Sequence, residues 1–336
     1  MSAEQRVGYL CLVVSALLFG VGTAFAVYAL RVLTAFDLLA VEIGSATITL
    51  WIALALVGPR ASKRWAVYGL LGLLEPALSY VLYNLGLART SASHGALLES
   101  LDGLFVVILG ALLLRERLRT GIVLSLAFGL TGAALVGLAE GTTGPDRATR
   151  VGDGLVVLGI VAAAFYSIAV RRFGGRESAL TITAYQFLSA SVVVAPLVLT
   201  TWLLHGSGLP KAGPSYVVAA VGSGVLGTAG AYLLFNVGIA RVPAGRAVLV
   251  LNLIPVFGTI SAVVGLGEEL RALEVVGGAL IVVSLFALSL TGGTEDEDSV
   301  VSASCARTGA VAAAEASAGP TGEASPAAAG RVRPLP

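Results

Sequence analysis

Charge is scarce in this chain: 12% of its 336 residues are Asp, Glu, Lys or Arg, against about 25% in an ordinary soluble domain. A soluble fold of this length needs polar surface to face water, so a large globular core is a poor reading. Histidine and cysteine each occur twice and methionine once. Cys11 sits in an apolar run and Cys305 near the end, so neither a disulfide framework nor a thiolate metal motif is offered. The net charge of +1 leaves no basic footprint for nucleic acid. No G-x-x-x-x-G-K-[ST] phosphate loop is present, so no ATP-driven pump is implied, and H-E-x-x-H is missing too. Gly222-Ser223-Gly224 imitates a serine-hydrolase fragment, as glycine-rich helices do by chance. No cofactor is expected.

What the chain has instead is apolar length. It is 57% hydrophobic, with a mean hydropathy of +0.91. About ten runs are long enough to cross a bilayer, near 7–30, 36–57, 65–87, 93–114, 119–139, 152–170, 180–204, 215–239, 244–266 and 272–291. Gly58-Pro59, Gly144-Pro145, Gly174-Gly175 and the Gly206–Pro214 stretch supply turns between them. The expected fold is an all-α polytopic membrane protein whose solvent is the lipid bilayer. The first run carries Ala24-Phe25-Ala26, which a signal peptidase would recognise. Its flank holds a single basic residue, Arg6, and it reads as a span.

The chain contains one stretch twice. Tyr80–Glu116 and Tyr232–Glu268 align without a gap at an offset of 152. Tyr80 pairs with Tyr232, Asn84 with Asn236, Arg89 with Arg241, Phe105 with Phe257 and Glu116 with Glu268. A weaker match relates Ala40–Thr47 to Ala184–Ser191 at an offset of 144, as loops of unequal length would give. The expected organisation is a five-helix repeat over 1–145, a second over 146–291, and a disordered tail over 292–336. The tail opens on Glu295–Asp298 and continues in Ala, Ser, Gly and Pro, too polar and too small-chained to form a core.

Loop charge sets the orientation. With the N-terminus in the cytoplasm, twelve Lys and Arg fall inside and six outside. Ten spans then return the C-terminus to the cytoplasm. Five spans per half is odd, so the halves insert in opposite senses. Inverted repeats of this kind are characteristic of secondary transporters.

Four carboxylates fall inside expected spans: Glu42, Glu75, Glu99 and Asp102. Each costs about 2.5–3.5 kcal/mol on insertion scales, so each is expected to face a cavity or a partner. Their counterparts in the second half are Gln186, Gly227, Leu251 and Ile254, none of them charged. Helical spacing groups Glu42 with Ser45 and Thr49, Glu75 with Ser79 and Tyr83 beside Tyr80 and Asn84, and Gly95 with Glu99 and Asp102. Thr228, Tyr232 and Asn236 form the equivalent stripe in the second half, and Asn252 lies on the next span. The alternative is that these groups make only interhelical hydrogen bonds. Pro76 and Pro255 fall inside spans, where each kinks a helix and frees carbonyls. Glu116 and Glu268, beside Arg115, Arg117 and Arg271, read as interfacial ion pairs. His94 and His205 fall near span ends.

The two halves resemble the EamA family of the drug/metabolite transporter superfamily. The resemblance rests on Gly238-Ile-Ala-Arg241, on Leu249 through Asn252-Leu253 to Pro255-Val-Phe257, and on Gly267-Glu268, with their first-half copies. It covers about 7–290. It implies a membrane permease, often an exporter of amino acids or related metabolites. The implied cavity is lined by the first, third, fourth, sixth, eighth and ninth spans. Gly103, preceded by Asp102, stands where the family usually has proline, and Glu42 stands near a position often basic. Both departures make the first-half cavity more acidic. The function expected is secondary-active transport of small, amphipathic and cationic or zwitterionic metabolites across the cell membrane, with protons as coupling ion. An intramembrane enzyme and a non-transporting scaffold are the alternatives, and a membrane-vesicle flux assay separates transport from both.

The tail is expected to be dispensable. Truncation after Thr291 removes no span and no polar stripe, so transport at matched expression is expected to stay at the full-length level in a vesicle flux assay. Loss of transport would assign the tail a role beyond solvation.

Overall fold

In the computed structural model of the chain, residues 3–57, 62–114, 120–138, 150–173, 177–239, 241–242, 250–251 and 253–291 are described. Gly58-Pro59, Arg115–Arg117, Gly144-Pro145, Gly174-Gly175, Asn252 and the tail, all read above, lie outside them. Among the described residues no strand occurs. The helices are α1 (Ala3–Leu30), α2 (Ala35–Val57), α3 (Trp65–Gly72), α4 (Ser79–Leu87), α5 (Ala92–Glu99), α6 (Asp102–Leu114) and α7 (Thr120–Leu138). They continue with α8 (Arg150–Phe173), α9 (Ala179–His205), α10 (Pro214–Gly222), α11 (Ala231–Ile239), α12 (Ile254–Leu266) and α13 (Ala272–Thr291). Two wider turns join these helices: Leu73–Leu78, a π turn kinked at Glu75, joins α3 to α4, and the π-helical Ser223–Gly230 joins α10 to α11.

Seven stretches among the described residues are long and apolar enough to cross a membrane. They are Ala3–Leu30, Ala35–Val57, Trp65–Leu87, Ala92–Leu113, Arg150–Ala169, Ala179–His205 and Pro214–Phe235. Thr120–Val136, Ile254–Leu266 and Ala272–Ala287 are apolar but shorter. The outward faces carry large apolar side chains: Leu203 is 87%, Leu56 83% and Val264 80% exposed. Apolar exposure on that scale matches hydrocarbon and is costly in water.

Local chemistry sets the ends. Thr34 and Asp37 form a reciprocal cap on α2: Thr34 N–H donates to Asp37 Oδ2 at 3.1 Å and Asp37 N–H to Thr34 Oγ1 at 3.2 Å. The same carboxylate accepts from Trp202 Nε1 and Ser207 Oγ, both at 2.8 Å, and so ties the start of α2 to the end of α9. Ser178 caps α9 through Thr181 N–H at 3.2 Å. Gly267, at φ 72°, closes α12 in the left-handed region that glycine tolerates.

Two interruptions matter for function. Glu75 is extended, at φ −141° and ψ 123°, in the middle of Trp65–Leu87. Pro76 follows it, and a residue before proline is driven out of the helical region. The fourth apolar run, read above as one span, breaks at Ser100-Leu101 between α5 and α6. The π turn at Ser223–Gly230 falls at the second-half position corresponding to the Glu75 break, because Glu75 and Gly227 are 152 apart.

The halves pack reciprocally. α1 lies against α11 and α12, and α8 lies against α4 and α6; α2 packs on α9, and α7 on α13. Glycine allows the closest approaches. A Cβ on Gly22 would sit 2.6 Å from the Cα of Gly227, and one on Gly132 would sit 2.5 Å from the carbonyl oxygen of Gly277. Small residues at such crossings let backbones touch.

These contacts make Gly132→Ala destabilising by about 1–3 kcal/mol, the usual cost of overpacking. Gly44→Ala, with open space around its Cβ, is expected to be neutral or to gain up to about 1 kcal/mol from helix propensity. Thermal unfolding in detergent, read by size-exclusion fluorescence, checks the order. Equal Tm values for the two variants would contradict the packing account.

Candidate functional site

The breaks at Glu75 and Ser100 open onto one cavity of about 420 Å³. It is walled by parts of α1, α2, α4, α5, α6, α8, α11, α12, α13 and the two π turns. All four carboxylates picked out in the sequence line it: Glu42, Glu75, Glu99 and Asp102. Tyr80, Tyr83 and Tyr232 line it with them. Thr23, Ser79, Ser100, Ser223 and Thr228 add hydroxyls, and Phe19, Leu251, Ile254 and Leu285 add apolar wall. No Lys, Arg or His is among the lining residues described.

The carboxylates are held differently. Glu42 is buried, and both its oxygens are occupied: Ser223 Oγ donates to Oε1 at 2.6 Å and Asn84 Nδ2 to Oε2 at 2.8 Å. Those bonds join α2, α4 and the second π turn. Glu99 Oε2 accepts from Tyr83 OH at 2.9 Å and from Thr23 Oγ1 at 3.2 Å. Glu75 Oε1 accepts from Tyr232 OH at 3.2 Å, across the two halves. Asp102, in the first turn of α6, has its Oδ1 buried without a hydrogen-bond partner. Tyr80 OH donates to Thr228 Oγ1 at 3.4 Å, and the Phe19 and Tyr232 rings meet edge-on at 5.3 Å.

Two polar groups expected at the cavity lie beside it. Asn84 is buried against Glu42 and orients it; its own Oδ1 has no partner. Gln186 pairs with Tyr166, with Nε2 2.9 Å from the phenol oxygen, and is not among the lining residues. Asn236 lies on α11, and Asn252 falls outside the described residues. Ser45 and Thr49, grouped with Glu42 by spacing, donate to Glu42 O at 3.2 Å and Ser45 O at 2.8 Å on their own helix.

Sequence reading missed Thr23 and Ser223, whose contacts with Glu99 and Glu42 join residues 76 and 181 positions apart. It also missed the environment of His94, which is wholly buried against Asp153 and Glu274. Glu268, read as half of an ion pair with Arg271, uses both oxygens on the start of α5: Ala92 N–H donates at 2.8 Å and Ser93 N–H at 2.9 Å. Among the described residues no cluster of His, Cys, Asp and Glu has the makings of a metal site.

Burial of an ionised carboxylate is expensive unless something balances it. No basic side chain in the described lining supplies that balance. The hydroxyls and phenols add neutral partners, and the aromatic faces suit an apolar or cationic body.

Comparison with known proteins places this geometry in context. The sequence profile described as the EamA-like transporter family matches twice, over 6–138 and 150–290. The uncharacterized transporter YyaM of Bacillus subtilis is 27% identical over 232 residues, covering 68% of this chain and 74% of that one. An uncharacterized transporter of Archaeoglobus fulgidus is 26% identical over 216 residues, covering 64% and 74%. A probable terminal-alkyne amino-acid exporter of Streptantibioticus cattleyicolor is 27% identical over 200 residues, covering 60% and 65%. One crystal structure of a protein superposes with a TM-score of 0.57 at 22% identity, covering 87% of this chain and 98% of its own, which speaks to fold alone. With both halves of the bundle matched by one profile, the chain belongs to the EamA-like transporter family.

Proposed function

We propose that the chain is a secondary-active permease that moves small amphipathic metabolites, amino acids or related amines, by alternating access. Its proposed frame is ten spans in two inverted five-helix repeats, over 1–145 and 146–291, with both termini in the cytoplasm, in the cell membrane. The observation that carries the reading is the cavity where Glu75, Glu99 and Asp102 face one space without a basic neighbour in the described lining. The amino-acid exporter among the relatives supports the substrate class.

In this mechanism a proton and the substrate's ammonium compete for the same carboxylates. Glu75 and Glu99 are the leading exchange groups, each already held by a tyrosine hydroxyl that fixes its direction. Asp102 adds an oxygen that lacks a protein partner. Glu42, with both oxygens occupied by Asn84 and Ser223, holds helices together and shapes the wall. Asn236 and Asn252 are proposed to complete the second-half wall.

Glu75→Gln and Glu99→Gln keep shape and hydrogen bonding but cannot titrate. Each is expected to insert normally, to lose the pH dependence of transport, and to lower flux by roughly ten- to a hundredfold, the scale of a charge-assisted contact. Proton-driven uptake into vesicles, run at several pH values with amine and amino-acid substrates, measures this. Wild-type pH profiles in both variants and in Asp102→Asn would exclude coupling through these groups.

Topology is tested separately. Impermeant thiol labelling of intact cells is expected at a cysteine placed at Gly208 and not at Gly174. The reverse pattern would overturn the inverted insertion.

A further inference from the structure

His94 is one of two histidines in the chain, and no solvent reaches it. It sits near the start of α5, about one and a half turns before the cavity residue Glu99. Its Nδ1 lies 3.1 Å from Asp153 Oδ2 and its Nε2 lies 2.7 Å from Glu274 Oε1. Asp153 is in the first turn of α8 and Glu274 in the first turn of α13, so the ring bridges the starts of three helices. Both ring nitrogens face carboxylate oxygens. A neutral imidazole has one N–H and can donate to only one of them, whereas the imidazolium donates to both.

The other groups around the ring are already engaged. Asp153 also accepts from Thr90 Oγ1, Glu274 Oε2 accepts from Arg271 N–H at 2.6 Å, and the positive charge of the Arg271 side chain acts on Glu274 too. Glu268 binds the Ala92 and Ser93 amides one step away. Arg89 closes the preceding helix, donating to Leu85 O at 2.7 Å, while Arg150 opens α8 and Glu269 follows Glu268.

Between this cluster and the cavity the helices touch. A Cβ on Gly258 would lie 2.5 Å from Ala96 Cβ, and one on Gly20 would lie 2.5 Å from Gly258 N, so α1, α5 and α12 meet there. Ala96, on α5 between His94 and Glu99, lies at that contact. The duplication does not repeat it. The register positions equivalent to Asp153 and Glu274 are Tyr9 and Ile122, neither a carboxylate.

We propose that His94, Asp153 and Glu274 form a second proton-binding site, separate from the substrate cavity, that latches this face of the bundle shut. The protonated ring holds α5 of the first half to α8 and α13 of the second. Loss of the ring proton leaves one carboxylate facing a lone pair, and the face opens. This inference rests on the alternating-access reading, but its test needs neither substrate nor flux.

The test uses full-length chain with Cys11→Ser and Cys305→Ser, and a reporter Ala163→Cys in the cavity wall. An impermeant maleimide is added from the His94 face, and separately from the opposite face in inverted vesicles. His94→Gln, Asp153→Asn and Glu274→Gln are each expected to label roughly tenfold or more faster from the His94 face than the parent. In the parent, raising the pH is expected to accelerate that labelling beyond the rise that thiolate formation alone gives a fully exposed reference cysteine; in His94→Gln the rise is expected to match that reference. Rates within about twofold of the parent in all three variants overturn the proposal, as does a parent that labels faster on acidification. Failure of all three variants to insert assigns the cluster a purely structural role and overturns it too. Failed transport with an intact latch response would strike the permease reading alone.

Discussion

A backbone inside hydrocarbon must satisfy its own hydrogen bonds, and this requirement governs where the chain can deviate from helix. Each unmet amide or carbonyl at membrane depth costs several kcal/mol, so an interruption survives only inside protein or against a polar cavity. The extended residue at Glu75 and the break at Ser100 obey that rule: both line the same cavity. Ser223, Gly227 and Thr228 of the second π turn line it too. The irregular backbone and the four carboxylates of the span interiors thus share one cavity for one reason, since neither is tolerated against lipid.

The polar groups then divide by how completely they are satisfied. Glu42 and Asp37 are saturated by neighbours from distant helices and act as fasteners. Glu75 and Glu99 are held by phenol hydroxyls, and Asp102 keeps a buried oxygen unpaired. The difference between saturated and unsaturated acids separates the groups that hold the fold from those that remain available to a ligand.

Much of this was legible in the residues. Apolar runs of spanning length, glycine and proline between them, and the 152-residue offset gave the helices and the duplication. The carboxylates stood out because acids are rare in such runs, and all four line the cavity. Periodicity could not say which oxygens were taken, because the partners of Glu42 and Glu99 come from helices far along the chain. Gln186 looked equivalent to Glu42 by register, yet it turns to Tyr166 instead. His94 was hidden for a related reason: its position near a span end suggests an interface, and it is the packing of other helices around α5 that buries it.

The approach of Gly22 to Gly227 has a consequence for how the chain can drift. Each lacks room for a Cβ because of the other's Cα, at 2.6 Å one way and 2.5 Å the other. A side chain on either meets backbone, which has no rotamer to yield, so no single replacement at one position opens space for a replacement at the other. The two codons, on opposite sides of a duplication whose copies have otherwise diverged, are bound together: neither can move first.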